Sequence, residues 1–165
     1  VAKKDSDQLE NELKFEIIRD TREQQGWFFK DFLQKDQSLI EEKLNQGDYA
    51  LKGLENYCII ERKKSVDEVI NNFCNKNEHE RITKEIEKLI KSTMNVYFVL
   101  SFTVDDLRRG SRYSRVPPNF ILSSILELEM KYNVRFIFAG KSDEYIAYRI
   151  LSKVWSYYVK KESRW

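Results

Sequence analysis

The chain has 165 residues, 41% apolar and 13% aromatic, enough for one domain with its own core. Its charge is high but balanced, 29 basic against 27 acidic residues for a net of +2, which excludes a globally basic nucleic-acid binder and leaves only local basic clusters. Two separated cysteines (Cys58, Cys74) and a single histidine (His79) exclude a structural zinc site, and no apolar run approaches the ~18 residues of a membrane span.

The N-terminal segment, residues 1–13, is polar and charged and is expected to be flexible, with one domain over 14–165. "KFEIIRD" (14–20) reads as a strand ending on charge, and "TREQQGWFFKDFLQK" (21–35) as a turn followed by an amphipathic helix. "DYALK" and "NYCIIERK" form an expected antiparallel pair joined by residues 53–56. Ser65, with Glu68 three residues on, has the spacing of a capping box and starts a helix. Residues 78–93 continue helical, with Ile82, Ile86, Leu89 and Ile90 on one face. "NVYFVLSF" (95–102) is apolar enough for a strand covered on both sides. Residues 103–118 read as an irregular charged loop closed by Pro117 and Pro118, which start the next helix. A strand at 134–140 and an amphipathic helix at 141–161 complete an α/β domain with a mixed sheet flanked by helices. Both thiols are expected to be free and buried, as suits a reducing cytosol.

The end of the 58–64 run carries the chemistry. Side chains alternate across a strand, so Glu61 and Lys63 share a face, roughly 7 Å apart. Asp48 begins the preceding strand and lies near Glu61 in an antiparallel pair, and Asp20 ends the first strand at the same corner. Three converging carboxylates repel one another, and a hard divalent cation that favours oxygen ligands, such as Mg²⁺, offsets that repulsion. Lys63 beside it is placed to orient a water or offset charge on a phosphate. Charged residues at a strand end are also ordinary, so spacing alone leaves a plain solvated corner open.

The wording around these residues is more specific. "IIRDTREQ", "GDYAL" and "ERKKSVDEVI" together resemble the nuclease domain of the XPF family of structure-specific endonucleases, within the PD-(D/E)xK superfamily. Gly47, Asp48, Glu61, Arg62, Lys63 and Asp67 stand where that family has G-D…E-R-K-x-x-x-D, with Asp20, Arg22 and Glu23 matching its upstream D-x-R-E. The resemblance runs from about residue 14 to 160. It implies a restriction-endonuclease-like core and Mg²⁺- or Mn²⁺-dependent cleavage of branched, flap or duplex–single-strand junction DNA, in repair or recombination. It also implies that Asp20, Asp48 and Glu61 are metal-site acids and Lys63 the catalytic lysine. Arg22, Glu23, Arg62, Asp67 and Arg81 become supporting residues. Asp67 equally fits a first-turn acid that favours its own helix. The 165 residues hold no tandem helix-hairpin-helix tail, so a compact stand-alone form is expected, cytoplasmic or DNA-associated. A non-catalytic scaffold of the same fold and a Holliday-junction-resolvase or restriction-like nuclease are the alternatives. A homodimer through Phe120, Ile125, Tyr145, Trp155 and Tyr158 is compatible with the resemblance, and core packing accounts for the same residues.

Arg108, Arg109, Arg112 and Arg115 fall within eight residues, with Tyr113 among them. Guanidinium forks suit phosphates and a tyrosine ring stacks on a base. A solvated loop is the other reading. Trp27, Phe28 and Phe29 cannot all face the core at helical spacing, which leaves one exposed or a crowded core edge.

Overall fold

The computed structural model describes residues 13–161; the flexible segment expected over 1–13 falls, but for Leu13, outside them. Six strands form one sheet: β1 (Glu16–Arg19), β2 (Ser38–Glu41), β3 (Tyr49–Leu51), β4 (Cys58–Lys63), β5 (Asn95–Leu100) and β6 (Arg135–Phe138). Their order is β2-β1-β3-β4-β5-β6. β3 runs antiparallel to β1 and β4, and the remaining neighbours pair in parallel. The helices are α1 (Val66–Cys74), α2 (Lys76–Ser92), α3 (Val104–Arg109), α4 (Pro118–Tyr132) and α5 (Asp143–Tyr158). None is long and apolar enough to cross a membrane, among the described residues.

Strand alternation divides the core in two. Ile18, Ala50, Ile59, Val96, Phe98 and Leu100 pack with Val69 and Phe73 of α1, Ile82 and Ile86 of α2, and Ile121 and Ile125 of α4. Ile17, Tyr49, Leu51, Cys58, Ile60 and Val99 pack instead with Ala147, Leu151 and Val154 of α5. β5 contributes to both, which explains its apolar sequence. The mixed sheet flanked by helices is the expected architecture.

Four expectations are corrected, and one strand is added. Residues 21–35 form turns rather than a helix. Trp27 and Phe29 point into the α5-side core while Phe28 is exposed, a period of two that a helix cannot give. Gln25 and Phe29 take positive φ (53° and 56°), held by hydrogen bonds from Trp27 N to Tyr49 OH (2.7 Å) and from Phe29 N to Glu144 Oε1 (2.6 Å). Strand β2 follows, a short edge strand with two exposed residues and no clear alternation. The long helix breaks at Asn75, whose side chain caps α2, and Ile90 is 38% exposed. The charged loop opens with α3, started by a reciprocal capping box between Thr103 and Asp106. Cys58 is buried but Cys74 is exposed; both are free.

Candidate active site

The registers Arg19↔Tyr49 and Tyr49↔Ile60 are antiparallel, so the next step along each pair sets Asp20 beside Asp48 and Asp48 beside Glu61. Backbone bonds carry the pairing one residue past the strands: Asp20 N donates to Asp48 O (2.8 Å), and Asp48 N to Ile60 O (2.9 Å). Alternation gives all three acids the face of Ile18, Ala50 and Ile59, the α1–α2 side. Lys63 is two residues further along that face. A cavity of about 450 Å³ is lined by Asp20, Asp48, Glu61 and Lys63, with Arg22 and Arg81 also on its wall. Gly47 makes the approach possible. Its φ is +79°, and a Cβ there would lie 2.2 Å from Ile59 Cγ2.

The three acids are not equivalent. Burial alone would raise the Asp20 pKa, but hydrogen bonds outweigh it and hold the carboxylate below its ordinary value. These come from Arg22 Nε (2.7 Å), Arg22 Nη2 (3.0 Å), Arg22 N (2.9 Å) and Leu44 N (2.7 Å). Asp48 is pushed up to about 8, first by burial and then by the Glu61 charge, against the 2.7 Å bond from Arg62 N to its Oδ2. Glu61 is also raised, by burial most of all, with Lys63 opposing. The expected three-acid metal set is therefore not assembled as a cage. No group of three His, Cys, Asp or Glu side chains among the described residues is placed to hold a metal. Both Asp20 oxygens are committed to Arg22 and Leu44. Asp48 and Glu61 remain as an oxygen pair whose mutual repulsion a hard cation would relieve.

Lys63 is buried, with Nζ 3.7 Å from Glu61 Oε1 and 3.7 Å from Glu68 Oε1. From the sequence, Glu68 is only a helix-start residue. It does not complete a capping box: its Oε2 accepts from Lys64 N (2.8 Å), while Ser65 Oγ accepts from Glu68 N (3.2 Å). One carboxylate thus braces both the start of α1 and the lysine. Its position five residues after Lys63, on the first turn of the next helix, was the available signal. Arg81 reaches the cavity wall from α2, tied to Glu78 (2.5 Å) and Glu85 (2.8 Å).

The remaining expected residues lie elsewhere. Arg62 points to the opposite face, as alternation requires. It stacks over Trp27 (4.5 Å) and donates to Gln25 O (2.8 Å) and Ser101 Oγ (3.1 Å), with Asp143 at 3.5 Å. Glu23 is buried on that same side, paired with Lys64 (2.8 Å) and 3.9 Å from Arg62. Asp67 is exposed in the first turn of α1 and does not line the cavity. Arg108 and Arg109 pair within α3 with Asp105 (3.5 Å) and Asp106 (2.5 Å). Arg112, Tyr113 and Arg115 are exposed on the following loop. None of these five lines the cavity, but the chain leading to them starts beside Lys63, where Ser101 N donates to Lys63 O (2.9 Å).

The mixed six-stranded sheet flanked by helices is similar in fold to XPF. The chain belongs to the ERCC4 domain family, which matches residues 19–148. Among solved structures, XPF from Aeropyrum pernix is similar at 14% identity and a TM-score of 0.62, over 82% of this chain and 64% of that one. XPF from Aeropyrum pernix in complex with DNA is similar at 15% identity and a TM-score of 0.63, over 84% and 64%. The chain thus spans under two thirds of the length of these structures, and the likeness is one of fold. Among curated proteins, none matches.

Proposed function

We propose that the chain is a divalent-cation-dependent DNA endonuclease that acts where duplex meets single strand or branch. The observation that carries this reading is the row Asp20–Asp48–Glu61 with buried Lys63 in one cavity. Asp48 and Glu61 would hold Mg²⁺ or Mn²⁺, leaving positions for water and phosphate oxygens. When bound, the cation would polarise a phosphoryl oxygen and lower the pKa of a water. Asp20 is fixed by Arg22 and pairs with Asp48 through the backbone, while the Asp48 carboxylate is held only by Arg62 N. Lys63, held between Glu61 and Glu68, presents a fixed positive charge to the phosphate that is attacked. Arg112, Tyr113 and Arg115, exposed on the loop after α3, supply phosphate contacts and a stacking ring, with the salt dependence such contacts bring. XPF from Aeropyrum pernix has been solved with DNA, which supports DNA as the substrate class.

Arg62 acts from behind the sheet: its links to Ser101 and Asp143 anchor β4 to α5 while its own N–H fixes the Asp48 carboxylate. Pairing of two copies fits the α5 side, where a cleft of about 660 Å³ is lined by Tyr97, Ile137, Ile150 and Tyr157. Ile125 cannot contribute, because it is buried in the core. Incubation with Mg²⁺ or Mn²⁺ on flap, fork, splayed and plain duplex DNA tests the reading. Cutting should favour the branched substrates.

A further inference from the structure

We infer that a second cavity, beside the acid row, receives an unpaired nucleobase next to the phosphate that is cut. The inference rests on the endonuclease reading and specifies how its substrate is seated.

This cavity measures about 610 Å³ and lies between the β2–β3 loop and the end of α2. Asn45 and Gln46 line both it and the acid cavity, so the two share a wall. Gln46 stands two residues before Asp48, so whatever fills the second cavity is a close neighbour of whatever meets the acid row. The floor is apolar, made by Ile18, Leu44 and Ile59, as a ring face requires. The wall supplies side-chain amides: Asn45, Gln46 and Asn56 line it, and Gln46 Oε1 has no donor among the described residues. A base edge carrying N–H groups satisfies it, and a phosphate, which offers only acceptors, does not.

Charge points the same way. Glu42 and Glu55 stand at the rim against a single Lys43, and Glu42 is paired outward with Lys52 (3.1 Å). Such a rim gives an anion no cradle. The occupant is therefore the neutral part of a nucleotide, with its phosphate left to the acid cavity and Lys63. Extrusion costs least for a base that is already unpaired. The cavity would thus favour cutting at a junction over cutting within a plain duplex, with no contact to the rest of the branch.

The test uses the Asp48→Asn chain, so that DNA is bound without being cut, and splayed duplexes carrying 2-aminopurine in turn at each nucleotide around the cut made by the parent. Anisotropy of a separate end label reports binding. On binding, fluorescence should rise about threefold at one position only, as the analogue leaves the stack. Adding Gln46→Leu, which removes the acceptor, or Ser92→Trp, which plugs the cavity from the exposed end of α2, should at least halve that rise while anisotropy still reports binding. Binding with no rise at any position overturns the inference and leaves the endonuclease reading standing. So does a rise that survives both substitutions. A parent that cuts no DNA, or binds none, overturns the reading and the inference together.

Discussion

Asp48→Asn separates the charge of the acid row from its shape. In the parent, burial and then Glu61 lift the Asp48 pKa from 3.8 to about 8. The folded chain therefore keeps a proton that the unfolded chain releases at much lower pH. Below 3.8 both states hold it and Asp48 has no effect on stability. As pH rises from there to about 8 the unfolded state gains, and above 8 the cost of the buried charge is complete. A shift of that size corresponds to roughly 6 kcal/mol at most. Asparagine carries no charge, and its Oδ1 can still accept the Arg62 N–H. In chelator the variant should therefore match the parent near about pH 4 and exceed it by roughly 3–5 kcal/mol near about pH 9. Urea unfolding followed by tryptophan fluorescence reads the difference. Adding Mg²⁺ at the alkaline end should stabilise the parent and leave the variant unchanged. Urea midpoints that run parallel across the whole range would refute the argument that burial and Glu61 make ionising Asp48 costly in the folded chain.

Gly47→Ala places a Cβ against Ile59 and forces a positive φ on a residue with a side chain, and should cost about 2–4 kcal/mol in urea unfolding. An unchanged midpoint would show that the strand yields there. Glu68→Gln keeps an acceptor for Lys64 N but removes one of the two charges beside Lys63. Cleavage at saturating DNA should fall roughly tenfold with little change in Tm, and an unaltered rate would remove Glu68 from the site. Arg112→Ala with Arg115→Ala should reduce the slope of log affinity against log salt by about 1–2 and leave the rate at saturating DNA intact. An unchanged slope would make the loop a solvated one.

The acid row was legible because strand alternation and a short antiparallel connection constrain it from both directions. Asp48 and Glu61 had to share a face, and Arg62 had to leave it. What periodicity could not supply was how each charge is compensated. Asp20 looks like an equal of Asp48 in the sequence, yet the fork from Arg22 and the Leu44 N–H, contributed 24 residues away, make it a committed anion. Glu68 was visible only as a capping residue, since its reach to Lys63 depends on the turn between β4 and α1. The 21–35 segment misled because its aromatics are consecutive. Tertiary contacts with Tyr49 and Glu144 decide which of them turn inward, and those partners lie 22 and 115 residues away. β2 left no signal because an edge strand of four residues, two exposed and two half-buried, has no buried face to pattern.

The most direct test is cleavage of a flap, fork, splayed and plain-duplex panel with Mg²⁺ or Mn²⁺, by the parent, Asp48→Asn and Lys63→Ala. The expected result is metal-dependent cutting of branched DNA by the parent, lost in both variants, with DNA binding retained. A parent that cuts nothing, or variants that cut as well as the parent, would contradict the assignment of this cavity as a nuclease site.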